Sequence, residues 1–518
     1  MKLSELLKGV EYEILQGDID IDIDDVAYDS RNVKENALFV CVSGYATDGH
    51  GFISPAHEKG AKAIIVEKDL AGCHLAMEKA AAEKGYIDTY VPYSMTVIKV
   101  ENARKALAIV SATWFGNPAD KLTIVGLTGT KGKTTTAHMV RSIFDAAGKK
   151  TAMIGTIGIF IADEKIPTKN TTPDSYELQK LFRKMLDVGV THCVMEVSSH
   201  ALMLYRTYGI NFECGAFLNI SPDHIGTGPG DHANFEEYIS EKAKIFSQTD
   251  NAFVNIDNSD VAALVKDGVE SENLYTISTV SEASVYVASM EDIWEPDILG
   301  SKIVVKESKD FAKVADVAGE YIVPMPGRYN AENALIAISI CGKCGISKDA
   351  IAKGLAATVV KGRTQVIREA AHIATVIIDY AHNALSMESL LSMLKGYNPE
   401  RLICLFGGGG DRPKDRRYDM GKAASKYADL TILTEDNPRY EEIENINNDI
   451  IVGLNVHNGK YDIIIDRKEA IEYLLDNAKP GDIIALIGKG HETYQDVKGV
   501  KTHFSEEEII KEYVASHK

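Results

Sequence analysis

Residues 123–137, TIVGLTGTKGKTTTA, have the residue types and the spacing that bind a phosphate chain. The apolar run from Leu122 to Leu127 predicts a buried parallel strand, and a helical pattern begins at Lys133. Glycines at positions 126, 129 and 132 would let backbone N–H groups turn towards an anion at the positive end of that helix. We therefore predict a phosphate-binding loop in which Lys133 reaches the terminal phosphates and Thr134 binds Mg²⁺.

The spacing of this loop differs from the common pattern G-x-x-x-x-G-K-T, because the chain reads G-x-x-G-x-x-G-K-T. The alternative is a glycine-rich turn that binds no nucleotide. The succession of apolar run, glycine loop and helical pattern favours the phosphate-binding interpretation.

Two further apolar runs lead into residues that could bind a metal ion. Glu196 lies at the end of the run Thr191–Val197, and His224 follows the run CGAFLNI. Because the carboxyl ends of parallel strands face the ligand in an open sheet, Glu196 is predicted to hold a Mg²⁺ that bridges nucleotide phosphates. The alternatives are a solvated carboxylate at the sheet edge and a loop histidine without a role at the metal.

Polar residues also lie in or before three predicted helices. Thr171 and Thr172 precede the helix SYELQKLFRKML, where an anion or a sugar oxygen could bind. Asn333 lies early in AENALIAISICGKCG and could present its amide to the edge of a base. Lys242 and Lys244 belong to the amphipathic pattern FEEYISEKAKIF, on which surface lysines are the default.

Composition places the chain among globular proteins, with 518 residues, 45% hydrophobic and 25% charged residues. The net charge of −19 argues against nucleic acid as a partner. Seven dispersed cysteines predict reduced, buried thiols, and the C-x-x-C pair Cys341 and Cys344 leaves a zinc or redox role as the alternative. The lack of any run of 18 apolar residues, together with a charged N-terminus, predicts a cytoplasmic location without membrane insertion.

Short β-type runs alternate with helical patterns along the chain, which predicts an α/β fold with about three domains. The central region is predicted to be a doubly wound sheet around the phosphate loop. The last region is predicted to be a Rossmann-like sheet with ligands at its strand ends. The expected domains are residues 1–99, 100–358 and 359–518.

A series of motifs resembles the Mur ligases, the ATP-dependent enzymes that add amino acids during peptidoglycan synthesis. The series covers nearly the whole chain in the family's order. The motifs are TGTKGKTT at 128–135, TTPD at 171–174, MEVSSHAL at 195–202, SPDH at 221–224, GR at 362–363, DYAH at 379–382, GGDR at 409–412, DNPR at 436–439 and GKGHE at 488–492.

The resemblance implies that the three domains hold the UDP part of the substrate, ATP and the amino acid, in chain order. It implies that a carboxylate of UDP-N-acetylmuramoyl-L-alanyl-D-glutamate attacks the γ-phosphate of ATP. The amine of the amino acid then displaces phosphate from the acyl phosphate. ATP and Mg²⁺ are the implied cofactors, and a monomer is expected.

The family's functional residues match positions of this chain. By resemblance, catalysis and metal binding are assigned to Lys133, Thr134, Glu196, His224 and Lys242, the last as a carbamylated lysine. ATP binding is assigned to Gly129, Thr130, Lys131, Gly132, Lys133, Thr134, Thr135, Asn333, Arg363 and Asp379. Binding of the UDP-muramoyl substrate is assigned to Ser30, Asn170, Thr171, Thr172, Ser198 and Arg206, while Leu204 departs from the family, which often has Gln there.

The sequence DNPR implies the identity of the amino acid. Members that add meso-diaminopimelate resemble it, since the guanidinium of Arg439 can bind the distal carboxylate, which lysine lacks. The implied contacts are Arg412, Asp436, Asn437, Pro438, Arg439, Gly488 and Glu492. L-Lysine stays open, because TGTKGK is similar to the loop of some lysine-adding members and YEEIEN after the motif departs from the usual sequence.

Two other functions stay open. One is a folylpolyglutamate-type or cyanophycin-type ligase of the same superfamily, against which DNPR and GKGHE argue. The other is a non-catalytic Mur-like binding protein, against which the complete set of matched metal and phosphate residues argues.

Overall fold

The computed structural model describes residues 1–45, 47–84, 90–226, 228, 230–266, 273–295, 297–308 and 316–517. The chain forms two compact units. The first contains Met1–Ile277 and Ser339–Ile346, and the second contains Ser278–Ile338 and Ser347–Lys518. Strands and helices alternate in both units, which confirms the predicted α/β class.

The N-terminal part of the first unit is a small α/β sheet. Its elements are α1 (Leu3–Leu6), β1 (Glu13–Gln16), β2 (Asp25–Ala27), β3 (Ala37–Val40), α2 (Ile53–Glu58), β4 (Ala61–Val66), α3 (Leu70–Lys84), β5 (Thr96–Lys99) and α4 (Ala103–Trp114). The strand order is β1-β5-β4-β3-β2, and only β1 is antiparallel to its neighbour. Alternate residues of β3 enter opposite cores, Leu38 on one face and Phe39 on the other, so both faces are covered.

The central part of the first unit is built around the strand that precedes the phosphate loop. Its elements are β6 (Thr123–Thr128), α5 (Lys133–Ala146), β7 (Thr151–Gly155), β8 (Gly158–Ile161), β9 (Glu164–Ile166), α6 (Ser175–Asp187), β10 (His192–Glu196), α7 (Ser199–Met203), β11 (Phe212–Phe217), α8 (Phe235–Ala243), β12 (Thr249–Asn255), α9 (Ser259–Lys266) and β13 (Leu274–Ser278). β6 lies between β10 and β11 and is parallel to both. Glu196 pairs with Leu127 in this register, so the carboxyl ends of β6 and β10 meet at one edge of the sheet.

The N-terminal sheet and the strands of the central sheet up to Ile277 lie in one compact unit. Tyr176 of α6 packs on the core of the N-terminal sheet, and its ring centroid lies 5.8 Å from that of Tyr28 and 5.2 Å from that of Phe115. Aromatic contacts of this kind join the two sheets. The domain boundaries at 99/100 and 358/359 stay predictions.

The chain from Val285 onwards contributes an antiparallel group and a second parallel sheet. Its elements are β14 (Val285–Glu295), β15 (Ile298–Glu307), β16 (Gly319–Val323), α10 (Arg328–Lys343), α11 (Lys348–Ala356), β17 (Gln365–Val366), β18 (Thr375–Asp379), α12 (Ala384–Gly396), β19 (Arg401–Phe406), α13 (Lys414–Tyr427), β20 (Leu430–Leu433), α14 (Ile443–Leu454), β21 (Tyr461–Ile463), α15 (Arg467–Asn477), β22 (Asp482–Ile487), β23 (Tyr494–Val497), β24 (Val500–His503) and α16 (Glu506–Ser516). β14, β15 and β16 are antiparallel neighbours. The second sheet has the order β17-β18-β22-β19-β20-β21.

Helices cover both faces of this second sheet. Ile483 and Ala485 of β22 enter a core with α12, α13 and α14, whereas Ile484 and Leu486 enter a core with α15 and α16. This alternation is what a strand buried on both faces requires. The predicted Rossmann-like arrangement is confirmed.

A buried ion pair fixes the strand ends of this sheet. Arg467 and Glu506 are 0% and 2% exposed, and Arg467 Nη2 lies 2.7 Å from Glu506 Oε1. Arg467 also donates to the carbonyl oxygens of Ile487, at 2.9 Å, and Glu435, at 3.3 Å. These are the residues directly before Gly488 and Asp436, so one guanidinium positions two of the predicted contact segments.

We predict that Glu506→Ala lowers the free energy of unfolding by about 3–5 kcal/mol, because it leaves the Arg467 guanidinium buried without its carboxylate. Urea unfolding followed by circular dichroism measures the change. Glu472→Ala is the matched control. It breaks a solvated pair between Glu472 and Lys468 on α15, the helix that also contains Arg467. Equal losses in the two variants would contradict a special role of the buried pair.

Candidate phosphate, metal and amino-acid sites

The phosphate loop has the predicted strand, loop and helix, with α5 beginning at Lys133 as expected. The ammonium of Lys133 donates to the carbonyl oxygens of Gly129, at 2.6 Å, and Thr130, at 3.2 Å. Burial lowers the pKa of Lys133, and the carboxylate of Glu196 partly opposes that shift. The lysine is thus folded across the loop, with its charge held by backbone carbonyls.

Glu196 lies beside the loop and is not the solvated edge residue that was the alternative. Its side chain is 2% exposed, and Oε1 accepts hydrogen bonds from Thr134 Oγ1 at 2.9 Å and from the Thr156 amide at 3.0 Å. Thr156 Oγ1 donates to Glu196 Oε2 at 3.1 Å and contacts Thr171 Oγ1 at 3.0 Å. A continuous series of contacts therefore runs from Thr171 through Thr156 and Glu196 to Thr134.

Lys242 lies on the inner face of α8, which overturns the default of a surface lysine. It is 2% exposed, its Nζ donates to Gly129 O at 3.1 Å, and it lies 4.7 Å from the ring centroid of Tyr238. Burial above all, and then the nearby charge of Lys133, lowers the pKa of Lys242 to about 6. Lys244 points the other way and pairs with Glu241 at 2.6 Å.

His224 lies in a left-handed backbone conformation with φ of 54°, and its side chain is 55% exposed. Its Nε2 is 3.7 Å from Asp223 Oδ2, and its ring packs edge-on against His200. The structure therefore places His224 at the rim of a neighbouring pocket.

That pocket has a volume of about 660 Å³ and lies in the first unit. Four of the predicted substrate residues line it, Asn170, Thr171, Ser198 and Arg206, together with His224 and the departing residue Leu204. The lining also contains residues that were not among the predicted substrate contacts, among them Tyr45, Arg104 and Lys169. Arg104 follows the cap of α4, and its guanidinium donates to Ser43 O at 3.0 Å.

Two predicted substrate residues are not among the pocket-lining residues. Thr172 is fully buried, and its hydroxyl donates to the carbonyl oxygen of Glu196 at 2.8 Å and accepts from the Ser198 amide at 3.1 Å. It positions the backbone of those two residues. Ser30 begins a short 3₁₀ turn after Asp29.

The predicted adenosine contacts Asn333, Arg363 and Asp379 belong to the second unit. Asp379 ends β18 and accepts from the amides of Thr364 and Ala381, each at 2.7 Å. Burial raises the pKa of Asp379, while these amide bonds partly oppose the shift. The guanidinium of Arg363 stacks 5.0 Å from the ring centroid of Tyr380, and Asn333 is buried on α10.

A second pocket, of about 230 Å³, brings together most of the predicted amino-acid contacts. It is lined by Arg412, Asp436, Asn437, Arg439, Gly488 and Glu492, and sequence reasoning missed Arg416, which also lines it. Burial raises the pKa of Glu492, although its hydrogen bond from Asn437, 3.0 Å long, opposes the shift. The pocket combines guanidinium and carboxylate groups.

The motif DNPR packs directly on the glycine run 407–410. The Gly410 amide donates to Asn437 O at 2.9 Å, and a Cβ at position 410 would lie only 1.9 Å from Pro438 O. Arg439 has φ of 51°, and its guanidinium donates to Gly410 O at 2.9 Å. The close approach therefore requires glycine at position 410.

The departing sequence YEEIEN has a structural role. Glu441 accepts from both Nη atoms of Arg417, at 2.7 and 2.9 Å, and Asp449 accepts from Arg417 Nη1 at 3.0 Å. Arg417 also donates to Gly409 O at 3.0 Å, so the acidic residues after the motif brace the glycine run.

The cysteines agree with the predicted reduced state. All seven cysteines are free thiols, and all but the partly exposed Cys344 are buried. Within the described residues, no group of three or more His, Cys, Asp or Glu side chains could hold a metal ion. None of the helices in the described ranges is long and apolar enough to cross a membrane.

Three family models match the chain, described as "Mur ligase family, catalytic domain" at 22–114, "Mur ligase middle domain" at 127–341 and "Mur ligase, glutamate ligase domain" at 362–490. A solved structure of a UDP-N-acetylmuramoyl-L-alanyl-D-glutamate–2,6-diaminopimelate ligase aligns with a TM-score of 0.73 at 26% identity, over 100% of this chain and 99% of that one. A Mycobacterium tuberculosis folylpolyglutamate synthase shares the fold, with a TM-score of 0.54 at 19% identity over 74% of this chain and 92% of that one.

Curated relatives match over almost their full length. The UDP-N-acetylmuramoyl-L-alanyl-D-glutamate–2,6-diaminopimelate ligase of Clostridium perfringens is 39% identical over 98% of this chain and 99% of its own. The ligase of the same name from Clostridium tetani is 40% identical over 99% of both chains. With this similarity along its whole length, the protein belongs to the Mur ligase family.

Proposed function

We propose that the protein is a ligase that uses ATP to join meso-diaminopimelate to the D-glutamate of UDP-N-acetylmuramoyl-L-alanyl-D-glutamate. The observation that carries this proposal is the series of contacts Thr171, Thr156, Glu196 and Thr134, which sets the large pocket directly beside the phosphate loop. An acceptor carboxylate bound in that pocket lies next to a bound triphosphate. The name of the full-length relatives supports the same reaction.

The oxygen atoms beside the loop fit Mg²⁺. The Thr134 hydroxyl and the Glu196 carboxylate are 2.9 Å apart, and oxygen ligands are those that Mg²⁺ prefers. We assign the metal to these two residues, to a carbamate on Lys242 and to His224 near a second ion. Bound Mg²⁺ supplies positive charge that neutralises the phosphates as the acyl phosphate forms.

Lys242 is suited to carbamylation because its amine is uncharged near neutral pH. An ammonium cannot attack carbon dioxide, but a buried amine with a pKa of about 6 can. The product is a carboxylate in place of a cation, 2% exposed and next to Gly129. Lys244 is excluded from this role by its pairing with Glu241 at the surface.

Lys133 and the first turn of α5 neutralise the triphosphate. The Lys133 ammonium is held by two carbonyl oxygens, and within the described part of the chain no carboxylate forms a hydrogen bond with it, so its charge is available to an anion. The first amides of a helix have no intrahelical acceptor and point towards the same anion. Two negative groups, carboxylate and phosphate, can then approach each other.

The large pocket suits a nucleotide sugar because it has cations and hydroxyls along its wall. Arg206 lies 2.9 Å from Asp174 Oδ1, which fixes its guanidinium in the lining. Arg104 and Lys169 add two further positive groups for a diphosphate or a peptide carboxylate. We place the reaction in the cytoplasm, where ATP is available. All the residues assigned to the reaction belong to one chain, as expected for a monomer.

The small pocket suits diaminopimelate by charge. Diaminopimelate has two carboxylates and two ammonium groups, and the pocket has the guanidinium groups of Arg412, Arg416 and Arg439 beside the carboxylates of Asp436 and Glu492. L-Lysine has only one carboxylate, so it would leave the half-buried guanidinium of Arg439 without an anionic partner. We assign the distal carboxylate to Arg439 and the distal ammonium to Glu492.

An amino-acid competition assay tests the proposed reaction. Purified protein with Mg²⁺, ATP and the muramoyl dipeptide nucleotide should release phosphate with meso-diaminopimelate but not with L-lysine, and mass spectrometry should identify the tripeptide product. Product with L-lysine alone would overturn the assigned specificity. Phosphate release without any dependence on the nucleotide sugar would point to another ligase of the superfamily.

Lys242→Ala should lower kcat by about 100-fold or more, because it removes the proposed metal-binding carbamate. Added short-chain carboxylates such as formate should restore part of the activity by taking its place. Lys244→Ala is the matched control and should behave as wild type, since that ammonium only pairs with Glu241. Full activity of Lys242→Ala would rule out the carbamate.

Arg439→Ala should raise the KM for diaminopimelate by about 10- to 150-fold, which corresponds to a lost charge-assisted pair of about 1.5–3 kcal/mol. The KM for ATP should stay unchanged and serves as the internal control in steady-state kinetics. If both constants rose equally, the substitution would be acting on the fold of the loop that contains Gly410.

A further inference from the structure

We propose that Asn219 is a positioning residue for ATP, whose side-chain amide clamps the phosphate loop in its binding conformation. Asn219 lies two residues after the end of β11, at the same edge of the sheet as the loop. The inference rests on the proposed function in one respect, namely that the loop binds ATP. The inference adds Asn219 to the proposed site as a residue that contacts the phosphate loop and not the substrate.

The amide of Asn219 makes two complementary hydrogen bonds with one loop residue. Its Oδ1 accepts from the Lys131 amide at 2.9 Å, and its Nδ2 donates to the Lys131 carbonyl at 3.1 Å. Only one orientation of the amide satisfies both bonds, since oxygen must face N–H and nitrogen must face C=O. A single side chain thus fixes both polar backbone groups of Lys131.

The backbone beside Asn219 reinforces this clamp. The Thr130 amide donates to Asn219 O at 2.9 Å, and the Thr130 hydroxyl accepts from the Ser221 amide at 3.1 Å. Gly129 has φ of 146°, and a Cβ there would lie 3.1 Å from Asn219 O. The segment and the loop approach so closely that position 129 has almost no room for a side chain.

This arrangement determines which loop amides can bind phosphate. The amides of Thr130 and Lys131 are engaged by Asn219 and are not available to the anion, whereas the amides of the first turn of α5 are available. Thr130 and Lys131, both matched to ATP binding by resemblance, therefore have only their side chains and not their amides to offer the nucleotide. The Lys131 side chain is exposed, as such a contact requires.

Holding the loop before ATP arrives should increase affinity. Glycine has the largest conformational freedom of any residue, and Gly129 and Gly132 flank the clamped pair. Without the clamp, binding would have to order this segment at the expense of affinity. Asn219 is therefore expected to affect the binding of nucleotide and not the binding of the other substrates.

The test compares Asn219→Ala and Asn219→Asp with Asn258→Ala. Asn258 is the matched control, because its Nδ2 donates at 3.0 Å to the carbonyl oxygen of Ile220, the residue after Asn219, and not to the phosphate loop. Calorimetric titration with ADP and steady-state kinetics are measured for each variant. Asn219→Ala should raise the Kd for ADP and the KM for ATP about tenfold, with the KM for the other two substrates within about twofold of wild type.

Asn219→Asp distinguishes a clamp from simple packing. The carboxylate has the shape of the amide but cannot donate to the Lys131 carbonyl, so it should weaken ADP binding at least as much as Asn219→Ala does. Wild-type ADP affinity in Asn219→Asp, or an equal loss in Asn258→Ala, would overturn the proposal. Equal increases in KM for all substrates would overturn it as well.

The same experiment separates this inference from the proposed function. If wild-type protein bound ADP but formed no product from the named substrates, the proposed reaction would fail. The comparison of ADP affinities would still decide the role of Asn219. If wild-type protein bound no ADP, the assignment of ATP to the loop and the clamp would fail together.

Discussion

The carbonyl oxygen of Gly129 accepts hydrogen bonds from two lysines, and the chemistry of the first unit depends on this shared acceptor. Lys133 Nζ is 2.6 Å away and Lys242 Nζ is 3.1 Å away. Two ammonium groups so close together repel each other in a site with little water. Lys242 is buried against Tyr238, and its pKa falls to about 6, so it is the lysine that readily gives up its proton. One lysine can then serve as a cation and the other as an amine.

This arrangement was only partly predictable from sequence. The strand, the loop and α5 follow from local periodicity and glycine spacing, and Glu196 follows from its place at a strand end. The burial of Lys242 could not be read from its helix, because FEEYISEKAKIF places lysines on two sides and only tertiary packing decides which side is inside. The fold class is confirmed, whereas the roles of the site residues stay predictions.

Residues that act through non-local contacts were given no role from the sequence. Asn219, Thr156 and Arg416 are ordinary loop or helix residues until the sheet brings their partners near. Thr172 has a contact that its motif did not predict, since its hydroxyl donates to the carbonyl oxygen of Glu196, and its role as a substrate contact stays a prediction. The only sequence signal for Asn219 is its position after an apolar run that ends at the ligand edge.

Four cations differ in the partners that hold them. Arg417 and Arg467 are neutralised by carboxylates and brace the glycine run and the strand ends. Lys133 and Arg439 donate instead to the carbonyl oxygens of Gly129 and Gly410, which hold a cation in place without cancelling its charge. A chain with a net charge of −19 repels anions at long range, so it needs uncompensated cations concentrated at the points where anions bind. Backbone carbonyl oxygens hold these cations in place without neutralising them. This is why the backbone of a glycine lies close to a cation at both sites.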